Sequence, residues 1–285
     1  MRDAAPRYGE VERLSPRVRR VVQRNPGLFT GPGTNTYLIG PEDRSAVAVL
    51  DPGQEDDEHL AALCDAIGDT PVRAVLVSHA HPDHWPLAPT LAERFGAPVL
   101  AYAATGEFRP HRALADGEVI DLGDVALRAV HTPGHARDHL CFLMERERAL
   151  FSGDHVMGWS TSVIAPPDGD LRQFLSALER LLELDQSAQL AVLYPGHGPT
   201  VAQPRQRMTE LRDHRLRRTE QALAALRERP GTPAELVERI YTDVDPKLHG
   251  AARMSLLAHL LALVEEGRAA PRGADPATAT YELRS

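Results

Sequence analysis

Short apolar runs alternate with polar, glycine-rich turns through the first 200 residues, and this pattern is typical of mixed strands and helices. Val72–Val77 shows the pattern well, because it is β-branched and apolar as a buried strand should be. The pattern predicts strands at 36–40, 46–50, 72–77, 98–102, 118–122, 125–130, 140–145, 148–152 and 190–193. It predicts helices at 55–67, 86–95 (ending at Gly96) and 171–184.

The C-terminal part has a different pattern, with a long arginine-rich helix predicted over 205–228. Pro230-Gly231 ends it, and Thr232 is the expected N-cap of a second helix that begins with Pro233 and runs to about Tyr241. A third helix is predicted over 251–266, followed by a hairpin within 268–284. Three helices and a hairpin indicate a winged-helix-like domain at 204–285, after a first domain at 1–203.

Composition narrows the class of protein without deciding it. The 285 residues carry a net charge of −8, with +2 from residue 201 onward and −10 before it, which is unlike the clear basic field of a dedicated nucleic-acid binder. No apolar stretch is long enough for a membrane span, and Met1–Pro6 lacks the apolar segment of a secretory signal. We therefore expect a cytoplasmic protein with two reduced cysteines, and a single lysine among 32 basic residues indicates a GC-rich bacterial genome.

The strongest chemical signal is a histidine-rich segment, His79-Ala80-His81-Pro82-Asp83-His84, placed where a predicted strand ends. His135, Asp154 and His197 follow other apolar runs in glycine-rich turns. Imidazole suits zinc, and carboxylates add the charge that a second ion needs. Five histidines and two aspartates in this arrangement predict two divalent ions side by side, with Asp154 as the natural bridge.

These residues resemble the signature of the metallo-β-lactamase superfamily. Four further segments fit it: Thr34–Gly40, Leu50–Gly53, Thr132–His135 and Pro195–Gly198. Asn25–Gly27 and Ser152–Thr161 look like the β-lactamase-like-protein-2 group, which adds a winged-helix-like domain. The resemblance implies a four-layer αββα sandwich, α/β (α+β) in class, with the site at one edge of two sheets. By analogy, His79, His81 and His135 bind one ion, while Asp83, His84 and His197 bind the other. Zn²⁺ is the expected metal, and Mn²⁺ or Fe²⁺ would also suit the second set.

The ligand set predicts a hydrolase in which two ions share a hydroxide that attacks a carbonyl carbon or a phosphorus. Asp83 is the candidate catalytic residue, orienting the nucleophile and relaying its proton. Several branches of the superfamily fit poorly. A secreted β-lactamase would carry a signal peptide, the flavin-dependent di-iron branch has Glu where His81 stands, and the large inserted domain of RNA-processing members has no room between Asp154 and His197.

Three functions remain open from the sequence. The first is hydrolysis of a small thioester or ester, which predicts an apolar pocket wall. The second is endonucleolytic cleavage of single-stranded RNA, which predicts basic and aromatic residues around the site. The third is a DNA-binding winged-helix regulator with structural metals.

Other residues have alternative roles. His131, His139 and His155 could hydrogen-bond to the ligands or be structural. Trp85 and Trp159 could line the pocket or pack. The C-terminal domain could pack on the catalytic domain or mediate a homodimer, and four of its arginines could guide an anionic substrate, namely Arg212, Arg215, Arg217 and Arg218.

Overall fold

The computed structural model describes residues 6–242 and 244–284. It divides into two compact units, the first made of Met1–Thr132, Asp138–Ser160 and Glu183–Arg207, and the second of Pro133–Arg137, Thr161–Leu182 and Met208–Ser285. The domain boundary expected between residues 203 and 204 stays a prediction. So does the absence of a signal sequence, because Met1–Ala5 lies outside the described residues.

The first sheet has seven strands that lie side by side in chain order. They are β1 (Val11–Arg13), β2 (Val18–Val22), β3 (Asn35–Ile39), β4 (Val47–Leu50), β5 (Val72–Leu76), β6 (Val99–Ala101) and β7 (Arg112–Ala113). β1 to β4 pair antiparallel, whereas β4 to β7 pair parallel. The parallel strands therefore bring their carboxyl ends to one edge of the sheet.

The second sheet has five strands in the order β12-β11-β10-β9-β8. Their bounds are β8 (Val119–Asp121), β9 (Ala126–His131), β10 (Leu140–Met144), β11 (Ala149–Gly153) and β12 (Val192–Pro195). Only β11 and β12 pair parallel, so these two strands also end at one edge.

The main core lies between the two sheets, and strand alternation builds it. In β3, Tyr37 and Ile39 face this core while Leu38 faces the other side. The second sheet contributes Phe142 and Phe151 among others. Each fully buried side chain of this kind adds roughly 1.5–3 kcal/mol of hydrophobic stabilisation, which makes the core a rigid base for the loops at the sheet edge.

Helices α1 (Asp57–Ile67) and α2 (Ala88–Phe95) cover the outer face of the first sheet, where Leu63 and Leu91 pack against Val75. Asp56 caps α1 by accepting a hydrogen bond from the His59 N–H. Gly96 ends α2 in a left-handed conformation, as predicted. A third helix, α3 (Leu171–Ala188), continues four residues beyond the predicted end.

The second unit has its own core, built by the C-terminal part of the chain. Its elements are α4 (Pro204–Glu228), α5 (Pro233–Ile240), α6 (His249–Glu265) and the antiparallel pair β13 (Ala269–Arg272) and β14 (Thr280–Leu283). Thr232 caps α5 and forms a capping box with Glu235, as its sequence predicts. Three helices followed by a hairpin confirm the winged-helix pattern.

The pattern analysis missed three strands of the first sheet, namely β1, β2 and β7. β1 and β7 are short and exposed, and β2 has Arg19 and Arg20 in its middle, so none shows a clean alternation. Among the described residues, no helix is long and apolar enough to cross a membrane.

A buried histidine predicts how stability depends on pH. His259 is buried in the second unit beside Arg215, and its Nδ1 lies 2.8 Å from Thr219 Oγ1. Burial, and then the positive charges of Arg215, His214 and Arg218, lower its pKa from 6.5 to about 3. The unfolded chain therefore binds this proton first as the pH falls below 6.5, and the stabilisation present above that pH is progressively lost towards pH 3.

We expect this group to cost about 2 kcal/mol of unfolding free energy between pH 7 and pH 5. His259→Gln should remove that part of the pH dependence, as measured by urea unfolding at both pH values. His249→Gln, at a half-exposed position, controls for the loss of an imidazole. An unchanged pH dependence in His259→Gln would contradict the expectation.

Candidate metal centre

The predicted ligands follow strands whose carboxyl ends meet at a shared sheet edge. The segment with His79 follows β5, Asp154 follows β11, and His197 follows β12. Backbone hydrogen bonds join the two sheets here, from Leu140 N–H to Ser78 O (2.7 Å) and from Asn35 N–H to Gly196 O (2.8 Å). The loops are thus held on a common rigid support.

All seven predicted metal ligands fall into three groups of potential ligand atoms. Within each group the atoms lie within 4.8 Å of one another. The groups are His79, His81 and His135; His79, His84 and Asp154; and Asp83, His84 and His197. The first and third are the sets expected for the two ions, and Asp154 belongs to the group between them.

The distances from His84 Nε2 to the neighbouring carboxylates are too long for direct hydrogen bonds, and those from His197 Nε2 are slightly shorter. The buried His84 Nε2 lies 3.6 Å from an oxygen of Asp83 and 3.6 Å from one of Asp154, and it has no hydrogen-bond partner in the described part of the chain. His197 Nε2 lies 3.1 Å from Asp83 Oδ2 and 3.4 Å from Asp154 Oδ2. Nitrogen and oxygen lone pairs that converge in this way form a suitable site for a divalent ion.

The pKa values show how strongly this edge requires positive charge. Burial alone would lower the pKa of His84, but Asp83, Asp51 and Asp154 raise it to about 9. The same competition raises the pKa of His197 well above its usual value, because Asp154 and Asp83 outweigh burial. Burial would raise the pKa of Asp83, yet His84 and His197 lower it to about 2. In the metal-free site, protons on the imidazoles supply this positive charge. A bound divalent ion would supply it instead, so metal binding must release protons.

Asp51, in the segment Leu50–Gly53, has no role of its own predicted from the sequence, yet it contacts the candidate ligands. It follows β4 with a φ of 51°, and its Oδ2 lies 3.1 Å from His84 Nδ1. Its carboxylate accepts hydrogen bonds from the Ser78 N–H and hydroxyl, both at 2.7 Å. Ser78 Oγ in turn lies 3.0 Å from His79 Nδ1. Such partners fix the orientation of ligand imidazoles, and a carboxylate at a strand end beside the histidine segment is the signal that could have revealed it.

Glycine and histidine neighbours shape the position of Asp154. A Cβ at Gly196 would lie 2.4 Å from Asp154 Oδ1, so only glycine leaves room for this carboxylate. His139 Nε2 accepts the Asp154 backbone N–H at 3.1 Å, while His139 Nδ1 lies 2.9 Å from Thr132 Oγ1. His139 thus forms a hydrogen bond to a candidate ligand residue, which is one of the two roles that the sequence left open for it.

The other candidate residues differ in position. His131 stacks on Tyr102 with ring centroids 3.8 Å apart, and His155 is buried. Trp85 packs with Phe108 in the outer core, whereas Trp159 is 41 % exposed.

Trp159 borders the metal groups. A Cβ at Gly198, one residue after His197, would lie 2.3 Å from its indole, and a Cβ at Gly31 would lie 2.7 Å from it. The indole therefore packs against two glycine backbones beside the ligand loop and keeps part of its surface open.

The comparisons with known families agree with this fold and site. Residues 29–197 match the metallo-beta-lactamase superfamily, and residues 232–275 match the beta-lactamase associated winged helix domain. The chain therefore belongs to the metallo-beta-lactamase superfamily and is a hydrolase. The predicted family and its C-terminal winged-helix domain are confirmed.

Individual relatives extend the likeness over most of the chain. An atrochrysone carboxyl ACP thioesterase of Aspergillus chevalieri is 38% identical over 226 residues, which cover 78% of this chain and 70% of that protein. The lactamase-like protein ptaB of Pestalotiopsis fici is 31% identical over 92% of this chain and 84% of its own length. A beta-lactamase domain protein from Burkholderia ambifaria, 22% identical, superposes with a TM-score of 0.83 and covers 99% of this chain and 96% of its own. The last match confirms the predicted fold class.

The three groups predict a stoichiometry of two divalent ions per chain. Protein equilibrated with Zn²⁺ and then freed of excess metal should hold close to two ions by elemental mass spectrometry. His135→Ala should hold about one, because it removes a ligand of the first group only, and His249→Ala should hold two. Wild-type protein with fewer than one ion per chain would contradict the prediction.

Proposed function

We propose that the protein is a binuclear metal-dependent thioesterase that hydrolyses a small acyl thioester or related ester. The observation that carries the proposal is the 38% identity, over 78% of this chain, with a protein named a carboxyl ACP thioesterase. Such a reaction needs a base, metal ions and an apolar surface for the acyl group. Asp83, the predicted ligands of two ions and the apolar border of the site would supply them.

The proposed ligands are those of the sequence analysis. His79, His81 and His135 would hold one ion, and Asp83, His84 and His197 the other, with Asp154 between them. Bound metal would supply Lewis-acid stabilisation of the carbonyl oxygen and would lower the pKa of the attacking water. Zn²⁺ is the expected ion, and the oxygen-richer second set also suits Mn²⁺ or Fe²⁺.

Asp83 is suited to handle the proton of the attacking water. Its side chain is 23 % exposed, whereas those of His84, His197 and Asp154 are 9 % or less. Its pKa of about 2 keeps the carboxylate ionised at neutral pH. The Asp83 backbone carbonyl accepts a hydrogen bond from Thr34 Oγ1 at 3.0 Å, so the loop holds the carboxylate in place.

An apolar surface borders the site and fits an acyl group. The half-exposed Trp159 packs against Gly198, and Leu28 and Phe29 are exposed in the same loop as Gly31, which the indole also contacts. An apolar wall is what the thioester hypothesis predicts, whereas RNA cleavage predicts basic side chains among the aromatic ones. RNA cleavage, a homodimer, bacterial origin and a cytoplasmic location stay predictions from the sequence.

The proposed reaction is balanced. Water adds through its oxygen to the thioester carbonyl carbon, and Asp83 accepts a proton from it. The C–S bond then breaks, and the proton returns to the departing thiolate. The products are a carboxylic acid and a thiol, with no oxidant or reductant required.

The first functional test compares a thioester with an RNA as substrate, and wild-type protein with one variant. We expect metal-loaded protein to release thiol from the benzoyl thioester of N-acetylcysteamine, and Asp83→Ala to lose at least about 100-fold in kcat, since general base catalysis typically contributes this much or more. Asp57→Ala, in the exposed first turn of α1, should keep full activity. Thiol release is followed with a thiol-reactive dye, and a short single-stranded RNA is incubated in parallel. Cleavage of the RNA with no thioester turnover would refute the proposal.

The apolar border makes a separate prediction on specificity. Trp159→Ala should raise KM for the benzoyl thioester about tenfold, because an aromatic contact contributes roughly 1 kcal/mol or slightly more, and it should change KM for the acetyl thioester less. Trp159→Phe should retain part of the selectivity. Val119→Ala, at an exposed apolar position on β8, is the control. Equal effects on both substrates would remove Trp159 from the acyl site.

A further inference from the structure

Arg215 is a buried charge without a carboxylate partner among the described residues. It lies on α4, is 2 % exposed, and has a pKa that burial lowers only to about 10, so it stays charged at neutral pH. Its guanidinium donates to the Ser162 carbonyl and lies 5.4 Å from the centre of the Phe174 ring, while its Nε has no hydrogen-bond partner in residues 6–242 and 244–284. Burying an unpaired charge is costly, so its presence requires an explanation. Its burial excludes the direct part in guiding an anionic substrate that the sequence left open for Arg215.

The carbonyl group that Arg215 binds lies next to a residue that contacts a candidate metal ligand. The residue after Ser162 is Val163, and its carbonyl oxygen lies 2.7 Å from His135 Nδ1. Because a carbonyl oxygen only accepts, His135 Nδ1 carries the proton and its Nε2 is left for a metal ion. The next residue, Ile164, places its N–H 3.5 Å from Ser255 Oγ on α6. Three consecutive residues are thus held by the C-terminal helices on one side and orient His135 on the other.

Phe174 gives Arg215 a second connection to the same ligand segment. A Cβ at Gly134 would lie 2.3 Å from the Phe174 backbone, so the segment packs tightly against the beginning of α3. The Gly134 carbonyl also accepts the Asp170 N–H at 2.9 Å. Arg215 therefore contacts two residues that connect to the His135 segment. One is Ser162, whose neighbour Val163 contacts His135, and the other is Phe174, whose backbone packs against Gly134.

We propose that Arg215 is a positioning residue of the metal centre, which fixes the Ser162–Ile164 segment so that Val163 holds the His135 imidazole with its Nε2 towards the ion. The proposal rests on the proposed role of His135 as a metal ligand. It links α4 to a proposed metal ligand within the second unit. Outer partners of this kind commonly change metal affinity 10–100-fold when they are removed.

The test measures metal affinity in Arg215→Met, which keeps most of the side-chain volume and removes the charge and the donors. Metal-free protein is titrated with Zn²⁺ by calorimetry, and the Kd of each ion is determined. We expect one Kd to rise 10–100-fold and the other to stay within about twofold. Arg218→Met is the matched control, because Arg218 is on the same helix, lies 4.2 Å above the Tyr241 ring and donates to the Ile240 carbonyl. It should leave both Kd values unchanged.

A double-mutant comparison separates positioning from general destabilisation. In a His135→Ala background, Arg215→Met should change metal affinity no further, because the imidazole that it orients is gone. A residue with a structural role alone would lower the Tm of the metal-free protein. It would weaken both ions in the wild-type background and also the remaining ion in the His135→Ala background. If Arg215→Met does not fold, Arg215→Lys, which keeps the charge but loses the fork of donors, should show an intermediate rise in the same Kd. Equal Kd values in wild type and both Arg215 variants would overturn the proposal.

The outcome also distinguishes this inference from the proposed function. Wild-type protein that fails to bind two ions would overturn the metal assignment itself. Wild-type protein that binds two ions and hydrolyses the thioester, with unchanged metal affinity in the Arg215 variants, would overturn only the role of Arg215.

Discussion

The arrangement of the site follows from negative charge buried where two sheets meet. Asp51, Asp83 and Asp154 lie at this edge among histidines, and carboxylates so placed need neighbouring positive charge. Protons on His84 and His197 can provide it, which is why the pKa values of both imidazoles are raised. A pair of divalent ions would satisfy the same requirement and release those protons, so the electrostatics that hold the apo site together also prepare it for metal.

Geometry imposes a second constraint on the same residues. The strands fix where each loop begins, but the imidazoles must also be rotated correctly, and four of the five have a supporting partner outside the ligand set. Ser78 and Asp51 hold His79 and His84, Gly33 O lies 3.2 Å from His197 Nδ1, and Val163 O holds His135. His135 and Val163 both belong to the second unit, in which α4 and α6 contact the Ser162–Ile164 segment.

Most helices and strands, and the residue types of the candidate metal ligands, could be predicted from the local sequence. A buried strand such as β5 is recognisable from its apolar residues, and Thr232 with Pro233 marks a helix start, because these signals act within a few residues. β2 was not recognisable, since arginines interrupt it and its pairing with β3 is a tertiary effect. The contacts of Asp51 and Arg215 were not predictable for the same reason, since they involve His84 and Ser162, which are 33 and 53 residues away in the chain.

The cost of burying Arg215 bears on why a winged-helix fold accompanies this hydrolase domain. A helix that only packed on a neighbour would be more stable with an apolar side chain at this position, since an unpaired buried guanidinium is unfavourable. A charge kept at such a position must contribute something that an apolar residue cannot, and here that is a strong donor to the Ser162 carbonyl. The adjacent Val163 carbonyl then holds a proposed metal ligand. On this reasoning Arg215 on α4 supports the proposed ligand His135 within the second unit.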